Sequence, residues 1–359
     1  MTVTTETPVE PAAVATGAVP EGDRDRKLEH IELSLDRRTQ LDARFFDRLR
    51  FVHEALPEIA LDDVDLRTTF LGKPVAAPIL VSCMTGGTGS ASSINRNLAE
   101  GAERAGVALG VGSQRKAIED PSTADTFGVR EFAPTVPLLG NLGAVQLNYG
   151  FGLEECRQAV AMVGADGLAL HLNPLQEALQ PEGQCDFRDL IPKIGALVDQ
   201  LEVPVVVKEI GCGISGETAH RLVDVGVKIL DTAGLGGTSW ARIEAARADD
   251  VPLGELFADW GVPTPDSIRQ LAAIDGVTVI GSGGIRSGID AAKAIACGAH
   301  LVGLAQPFLV AAMESADRVY ETIQRTIREL RIAMFCVGAR DLAALRRVEL
   351  QPVAGDARA

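Results

Sequence analysis

The chain has 359 residues, 46% of them hydrophobic and 4% aromatic, with 37 Gly and 18 Pro, which is enough for one large core with many tight turns. A formal net charge of -15 repels nucleic acid and anionic membranes, and the few aromatics argue against an all-β sandwich or a base-stacking platform. No apolar run is long enough to cross a bilayer, and the six Cys form no CxxC pair or metal-spaced set, so reduced thiols in a cytoplasmic enzyme are expected.

Residues 1–24 are rich in Thr, Pro, Ala and acid, with neither a basic start nor an apolar stretch. They are expected to be a disordered tail rather than a signal peptide, ahead of a single domain at 25–359. RKLEHIELSL follows, then a polar helical stretch and a partly extended approach to residue 75. Arg26, Lys27 and His30 gather three cations at the start of this segment; a solvated helix start is the plain alternative to an anion site.

From there, short β-branched runs alternate with amphipathic segments, the pattern of a parallel sheet with crossover helices. Strands are predicted at 77–82, 107–111, 137–141, 167–171, 205–208, 228–232, 277–281 and 300–304. Helices are predicted at 91–104, 153–163, 216–225 and 287–297, with Ser215 and Ser287 as N-caps. Residues 314–347 read as one long, charge-laced helix that covers a barrel end or serves subunit contacts. Eight alternations favour a (β/α)8 TIM barrel with an N-terminal extension and a long C-terminal helix over an open doubly wound sheet.

The strand ends carry the functional signal. They read SCMTGGT, GSQR, NLGAVQL, HLNPLQE, KE, AGLGGTSW, GSGG and AQP, and in a barrel they converge on one rim. Gly283, Gly284 and Ile285 follow the seventh strand and open a helix, a geometry that lets backbone N–H groups approach an anion. The 234–238 loop, with Thr238, and Ala305 with Gln306 after the eighth strand complete the usual phosphate position of this fold; a tight connection is the bland alternative.

Lys208 closes the apolar run PVVVK, where an ammonium is costly unless it meets an anion or a lone pair. A snorkelling Lys, a Schiff-base Lys and a Lys beside a flavin N1–C2=O edge all remain open at this point. His171 alone is best read as a core histidine, but Asn173, Gln176 and Glu177 in the same loop point to a polar substrate site. Glu177 is a lone carboxylate, suited to Mg2+ held jointly with substrate phosphates, and Arg115 is a rim cation suited to bidentate phosphate contact.

Taken in order, RKLEHI, MTGGT, GSQR, NLGA, HLNPLQE, VVVKE, GLGGTSW, DWGVPT and GSGGIR make the chain resemble the type 2 isopentenyl-diphosphate Δ-isomerases, the FMN-dependent family, from about Arg26 to Phe308. The resemblance implies that Arg26 and Lys27 contact a substrate diphosphate, with His30 and Arg115 beside them. Met84, Thr85 and Gly86 are implied to line the flavin ring, with Ser113 and Asn141 also touching FMN and Lys208 at its N1–C2=O edge. Thr238, Gly283, Gly284 and Ile285, assisted by Ala305 and Gln306, are implied to hold the FMN phosphate. His171, Asn173 and Gln176 would face substrate, Glu177 would hold Mg2+, and Glu244 would join Gln176, His171 and Lys208 in catalysis. Ala233 departs from members that carry Ser there. The family works with reduced FMN, takes NAD(P)H as reductant, and suggests a homo-oligomer, tetramer or octamer. An FMN-dependent 2-hydroxy-acid oxidase on the same fold is the alternative, but AGLGGTSW lacks the His and Arg that such chemistry needs. An inosine-monophosphate-type dehydrogenase lacks its Cys loop here, and a non-catalytic phosphate-binding scaffold leaves the HLNPLQE side chains without a task.

Overall fold

The computed structural model describes residues 26–353 apart from 43, 87 and 88, without the side chains of Arg26 and Ser90; the tail assigned to 1–24 lies outside these residues. Eight parallel strands close into a barrel. They are β1 (Ile79–Val81), β2 (Ala108–Gly110), β3 (Leu138–Gly143), β4 (Gly167–His171), β5 (Val205–Lys208), β6 (Ile229–Asp231), β7 (Thr278–Ser282) and β8 (Leu301–Leu304). Each lies within or overlaps a predicted run. Sequences such as ILV and VVVK are buried on both faces, as parallel strands covered by helices must be.

Helices cover the outside of the barrel. Leu153–Val163 has the predicted bounds, stopping at Gly164 in the left-handed conformation. Ser215 and Ser287 cap their helices, accepting from Thr218 N at 3.3 Å and Asp290 N at 3.2 Å. The expected helix over 314–347 is shorter. It runs Ala316–Phe335, and a separate turn, Leu342–Leu345, follows a new N-cap at Asp341. Gly338 sits between them at φ 68, a conformation that ends the first helix. The long helix packs against Gly89–Ala105 and Gly288–Ala296, so it forms part of the barrel wall and does not cover an end. Among the described residues no helix is long and apolar enough to cross a membrane.

The extension before β1 fills the barrel from below. Thr68–Phe70 and Lys73–Val75 form a two-stranded antiparallel hairpin. Phe70 and Val75 join Leu80, Ala108, Leu139, Ala169, Val206, Ile280 and Leu301 in one apolar cluster inside the barrel. Lys73 meets Asp166, the residue before β4, at 2.7 Å, which places the hairpin at the strand N-termini. The opposite end is left for chemistry.

Phe70 is 4% exposed in this plug. Phe70→Ala is expected to cost about 3–5 kcal/mol of stability, measured by urea unfolding, because the short strands around it cannot collapse into the void.

Candidate active site

The C-terminal strand ends and the N-terminal helix Arg26–Leu35 enclose a cavity of about 280 Å³. Met84, Thr85 and Gly86 reach it from β1, Ser113 and Arg115 from β2, and Asn141 from β3. His171, Asn173, Gln176 and Glu177 come from β4, Lys208 from β5 and Thr238 from β6. Gly283, Gly284 and Ile285 follow β7, and Ala305 and Gln306 follow β8. Lys27 and His30 lie over the mouth. The side chain of Arg26 falls outside the described residues.

Three titratable groups stand in one row across neighbouring strands. His171 is in register with Lys208, and Lys208 with Asp231. Paired residues on adjacent strands share a face, so the three side chains leave the sheet together. Lys208 is buried, and its Nζ donates to the Glu209 carbonyl at 2.5 Å. Glu209 in turn accepts from the N–H groups of Ile210 and Gly211, each at 2.7 Å, which pins the loop after β5. Burial pushes the Asp231 carboxyl up, against the opposing pull of Lys208, Ser282 and the Ala233 N–H. Ser282 donates a short hydrogen bond to Asp231, and its Oγ also accepts from Ala233 N at 3.0 Å. Burial first, and then the Lys208 charge, push the His171 imidazole down to about 3. A neutral imidazole whose Nδ1–H donates to Asn141 Oδ1 at 2.8 Å is the consistent tautomer.

A second wall is built from amides and carboxylates. The Gln176 amide donates to Glu244 Oε1 at 2.7 Å, and Gln176 Oε1 accepts from Asn173 Nδ2 at 3.0 Å, so the Gln176 side chain has one orientation. Glu244 does not line the cavity. It is wholly buried behind Gln176, with Arg247 at 2.6 Å and His30 at 3.0 Å. Burial acts to raise the Glu244 carboxyl, but His30, Gln176 and Arg247 outweigh it and hold it below the usual range. Glu177 accepts from Asn173 Nδ2 at 2.8 Å, Gln180 Nε2 at 2.6 Å and Gln184 N at 2.7 Å. Asn173 Oδ1 beside it is buried with no protein partner. Arg115 is held by Glu119 at 2.8 Å and donates to Gln184 Oε1 at 3.0 Å.

The glycine turn is set by backbone crowding. Gly283 has φ 106, and a Cβ there would fall onto the Gly234 carbonyl oxygen, so the loops after β6 and β7 touch backbone to backbone. Thr238 and Gln40 exchange hydrogen bonds at 3.1 and 3.2 Å beside this contact. Arg286 donates to Gln40 Oε1 at 3.2 Å. Burial and the nearby Arg44 push the Arg286 guanidinium below its usual value, which marks a cation short of negative charge.

This geometry has relatives. Residues 33–128 and 180–352 match the FMN-dependent dehydrogenase family. The isopentenyl-diphosphate delta-isomerase of Rickettsia bellii is 49% identical over 334 residues, covering 92% of this chain and 98% of that protein. The protein of the same name from Synechococcus sp. is 51% identical over 328 residues, covering 90% and 94%.

The chain belongs to the isopentenyl-diphosphate delta-isomerases, within the FMN-dependent dehydrogenase family.

A mandelate oxidase structure carrying an FMN adduct superposes with a TM-score of 0.63 at 20% identity, covering 90% of this chain and 92% of that one. At that identity it shows the shared barrel and nothing of the reaction. Sequence reasoning missed Gln40, Arg286 and Arg247 as parts of this isomerase-family site. The Arg of GSGGIR was a visible signal for Arg286; Gln40 and Arg247 act only through contacts distant in the chain.

The His171 shift has a consequence for acid stability. The unfolded imidazole takes up its proton near 6.5 and the folded one only near 3, so stability is lost as pH falls between those values. Urea unfolding at several pH values should show a slope of up to about 1 kcal/mol per pH unit in this window that His171→Gln removes. Equal slopes in the two proteins would contradict the buried neutral imidazole.

Proposed function

We propose that the chain interconverts isopentenyl diphosphate and dimethylallyl diphosphate, with reduced FMN and Mg2+ bound in the described cavity. The observation that carries this reading is the Gln176 amide, fixed by Glu244 and Asn173 beside a neutral His171, under a helix that brings Lys27 over the same cavity. Moving a double bond needs one proton added and another removed in a dry pocket, with an anion anchored at the far end of the substrate.

The residues fit the flavin. Gly283, Gly284 and Ile285, with Ala305, Gln306 and Thr238, form a cradle beside the under-neutralised Arg286. Ser82 Oγ, buried in the cavity wall, has no hydrogen-bond partner among the described residues and is available to a bound group. When bound, reduced FMN supplies an electron-rich ring face and a nitrogen able to hold a proton. Lys208 favours a negatively charged ring; Met84, Thr85, Ser113 and Asn141 line the space for it. NAD(P)H is the proposed reductant, with no net consumption in the isomerisation.

Mg2+ also fits, on limited protein ligation. Among the described residues Glu177 is the sole cavity-lining carboxylate, and Asn173 Oδ1, without a partner among them, adds a neutral oxygen. Such a pair suits an ion whose remaining ligands are water and substrate phosphate oxygens. Lys27 and Arg115 then anchor the diphosphate by charge. His171 and Asn173 orient the carbon end, and Gln176, held by ionised Glu244, passes or positions the proton. The oxidase alternative needs a basic imidazole oriented by an acid. His171 is bonded to the Asn141 amide and pushed down to about 3, which argues against it as that base.

An anaerobic incubation with FMN, Mg2+, NADPH and isopentenyl diphosphate in D2O, followed by NMR, should yield deuterated dimethylallyl diphosphate with little NADPH consumed. No conversion by flavin-loaded, reduced protein would sink the proposal.

Gly283→Ala should weaken FMN retention at least about tenfold, read from flavin absorbance after gel filtration, because the added methyl displaces the cradle. Full flavin retention in that variant would remove the cradle assignment.

A further inference from the structure

We propose that Arg247 is a positioning residue that fastens the N-terminal helix across the barrel mouth and thereby sets where Lys27 stands for the anionic end of the substrate. The kinetic part of this inference rests on the function proposed above; the structural part does not.

The helix Arg26–Leu35 crosses the mouth from one side to the other. At one end Lys27 Nζ donates to the Ser113 carbonyl, just past β2, at 3.2 Å and lies 5.2 Å from the centre of the Phe127 ring. One turn further along, the His30 ring meets Trp240 edge-on at 5.2 Å, at the start of the helix Trp240–Arg247 that follows β6. In the closed order of eight strands, β2 and β6 stand opposite each other. A segment that reaches both rims closes over whatever lies between them.

One guanidinium holds the β6 side. Arg247 meets Glu29 of the N-terminal helix at 3.1 Å, Glu182 of the β4 loop at 3.0 Å and Glu244 of its own helix at 2.6 Å. Its side chain is 10% exposed, so these contacts are shielded from water more than a surface pair is. The forked donor set of Arg can satisfy three carboxylates at once, which a single ammonium cannot match in geometry. Without it, Glu29, Glu182 and Glu244 would lose the cation they share, and mutual repulsion would loosen the helix.

Arg247 does not line the cavity and touches no reacting atom, so its influence passes through two arms. The Glu29 arm is mechanical and carries Lys27. The Glu244 arm is electrostatic and ends on Gln176. Substitution of Glu29 separates them, because Arg247 keeps Glu244 and Glu182.

The test compares the FMN-loaded wild type with E29Q, R247Q and R247K. Limited trypsin digestion, with mass spectrometry of the cut after Lys27, reads helix docking with no substrate present. In E29Q and R247Q that cut should accelerate roughly tenfold, and R247K should fall between. With isopentenyl diphosphate, E29Q should raise KM about three- to tenfold with kcat within about twofold, whereas R247Q should lower kcat as well because Glu244 loses its partner. FMN affinity should not change in any variant.

Unchanged cleavage and unchanged KM in both E29Q and R247Q would overturn the proposal. So would a parallel loss of Tm, FMN affinity and activity, the pattern of a merely structural residue. A protein that shows the cleavage pattern but turns over no isopentenyl diphosphate would overturn the substrate assignment and leave the clamp standing.

Discussion

A positive charge ends a strand that is buried on both faces, and much of the site's chemistry follows from compensating it. Lys208 sits at the close of β5 with the Glu209 carbonyl on its Nζ and Asp231 beside it in register. An isolated ammonium there would be several kcal/mol out of balance, which the Glu209 carbonyl and the Asp231 carboxyl on the next strand act to offset. The same charge acts on the other neighbour. It adds to burial in keeping His171 unprotonated, which makes that ring a hydrogen-bonding surface instead of a base. One ammonium therefore acts on groups of both flanking strands, adding to burial at His171 and opposing it at Asp231. Asp231 carries the effect one strand further, since Ser282 bonds it at the start of the glycine turn.

The N-terminal extension serves both ends of the barrel for different reasons. Strands of three to six residues enclose a short interior, and the hairpin Thr68–Phe70 and Lys73–Val75 fills its lower opening with Phe70 and Val75. At the top the requirement is reversed, because a cavity must be kept and yet covered. The helix Arg26–Leu35 does this with contacts from Lys27, Glu29 and His30 to the two rims and with Ile31 and Ser34 lining the cavity. Between the two, Gln40 ties the extension to Thr238 and Arg286 at the glycine turns. The extension is thus tied to the cradle as well as to the mouth.

How legible each part was depends on whether its cause is local. β4 and β5 have the bounds read from the sequence because their β-branched, apolar residues lie between abrupt polar or glycine boundaries. Leu153–Val163 was legible for the same reason, with glycine on either side. The strand-end residues named as site candidates face one cavity because the barrel fold brings strand ends together, whatever the details of each loop. The plug was not legible: nothing in TTFLGKPV says that its partners lie in seven different strands. Nor was the end of the last long helix, where periodicity continues past Phe335 and only the backbone of Gly338 stops it. Arg247 could not be picked out from local sequence, since its partners Glu29 and Glu182 lie 218 and 65 residues away.

The overall charge of -15 and an anionic substrate are compatible because the two act over different distances. Among the described residues, Lys27, Arg115, Lys208 and Arg286 line the cavity against the single carboxylate of Glu177. At physiological ionic strength the field of the outer surface decays over about 8 Å, whereas charges inside a covered cavity are screened much less. A diphosphate at the mouth therefore responds mainly to the local cations. Two of these are restrained before it arrives, Arg115 by Glu119 and Lys27 by the Ser113 carbonyl, so little side-chain ordering remains for binding to oppose. The acids grouped near the mouth share Arg247, and the excess of positive charge lies inside the cavity.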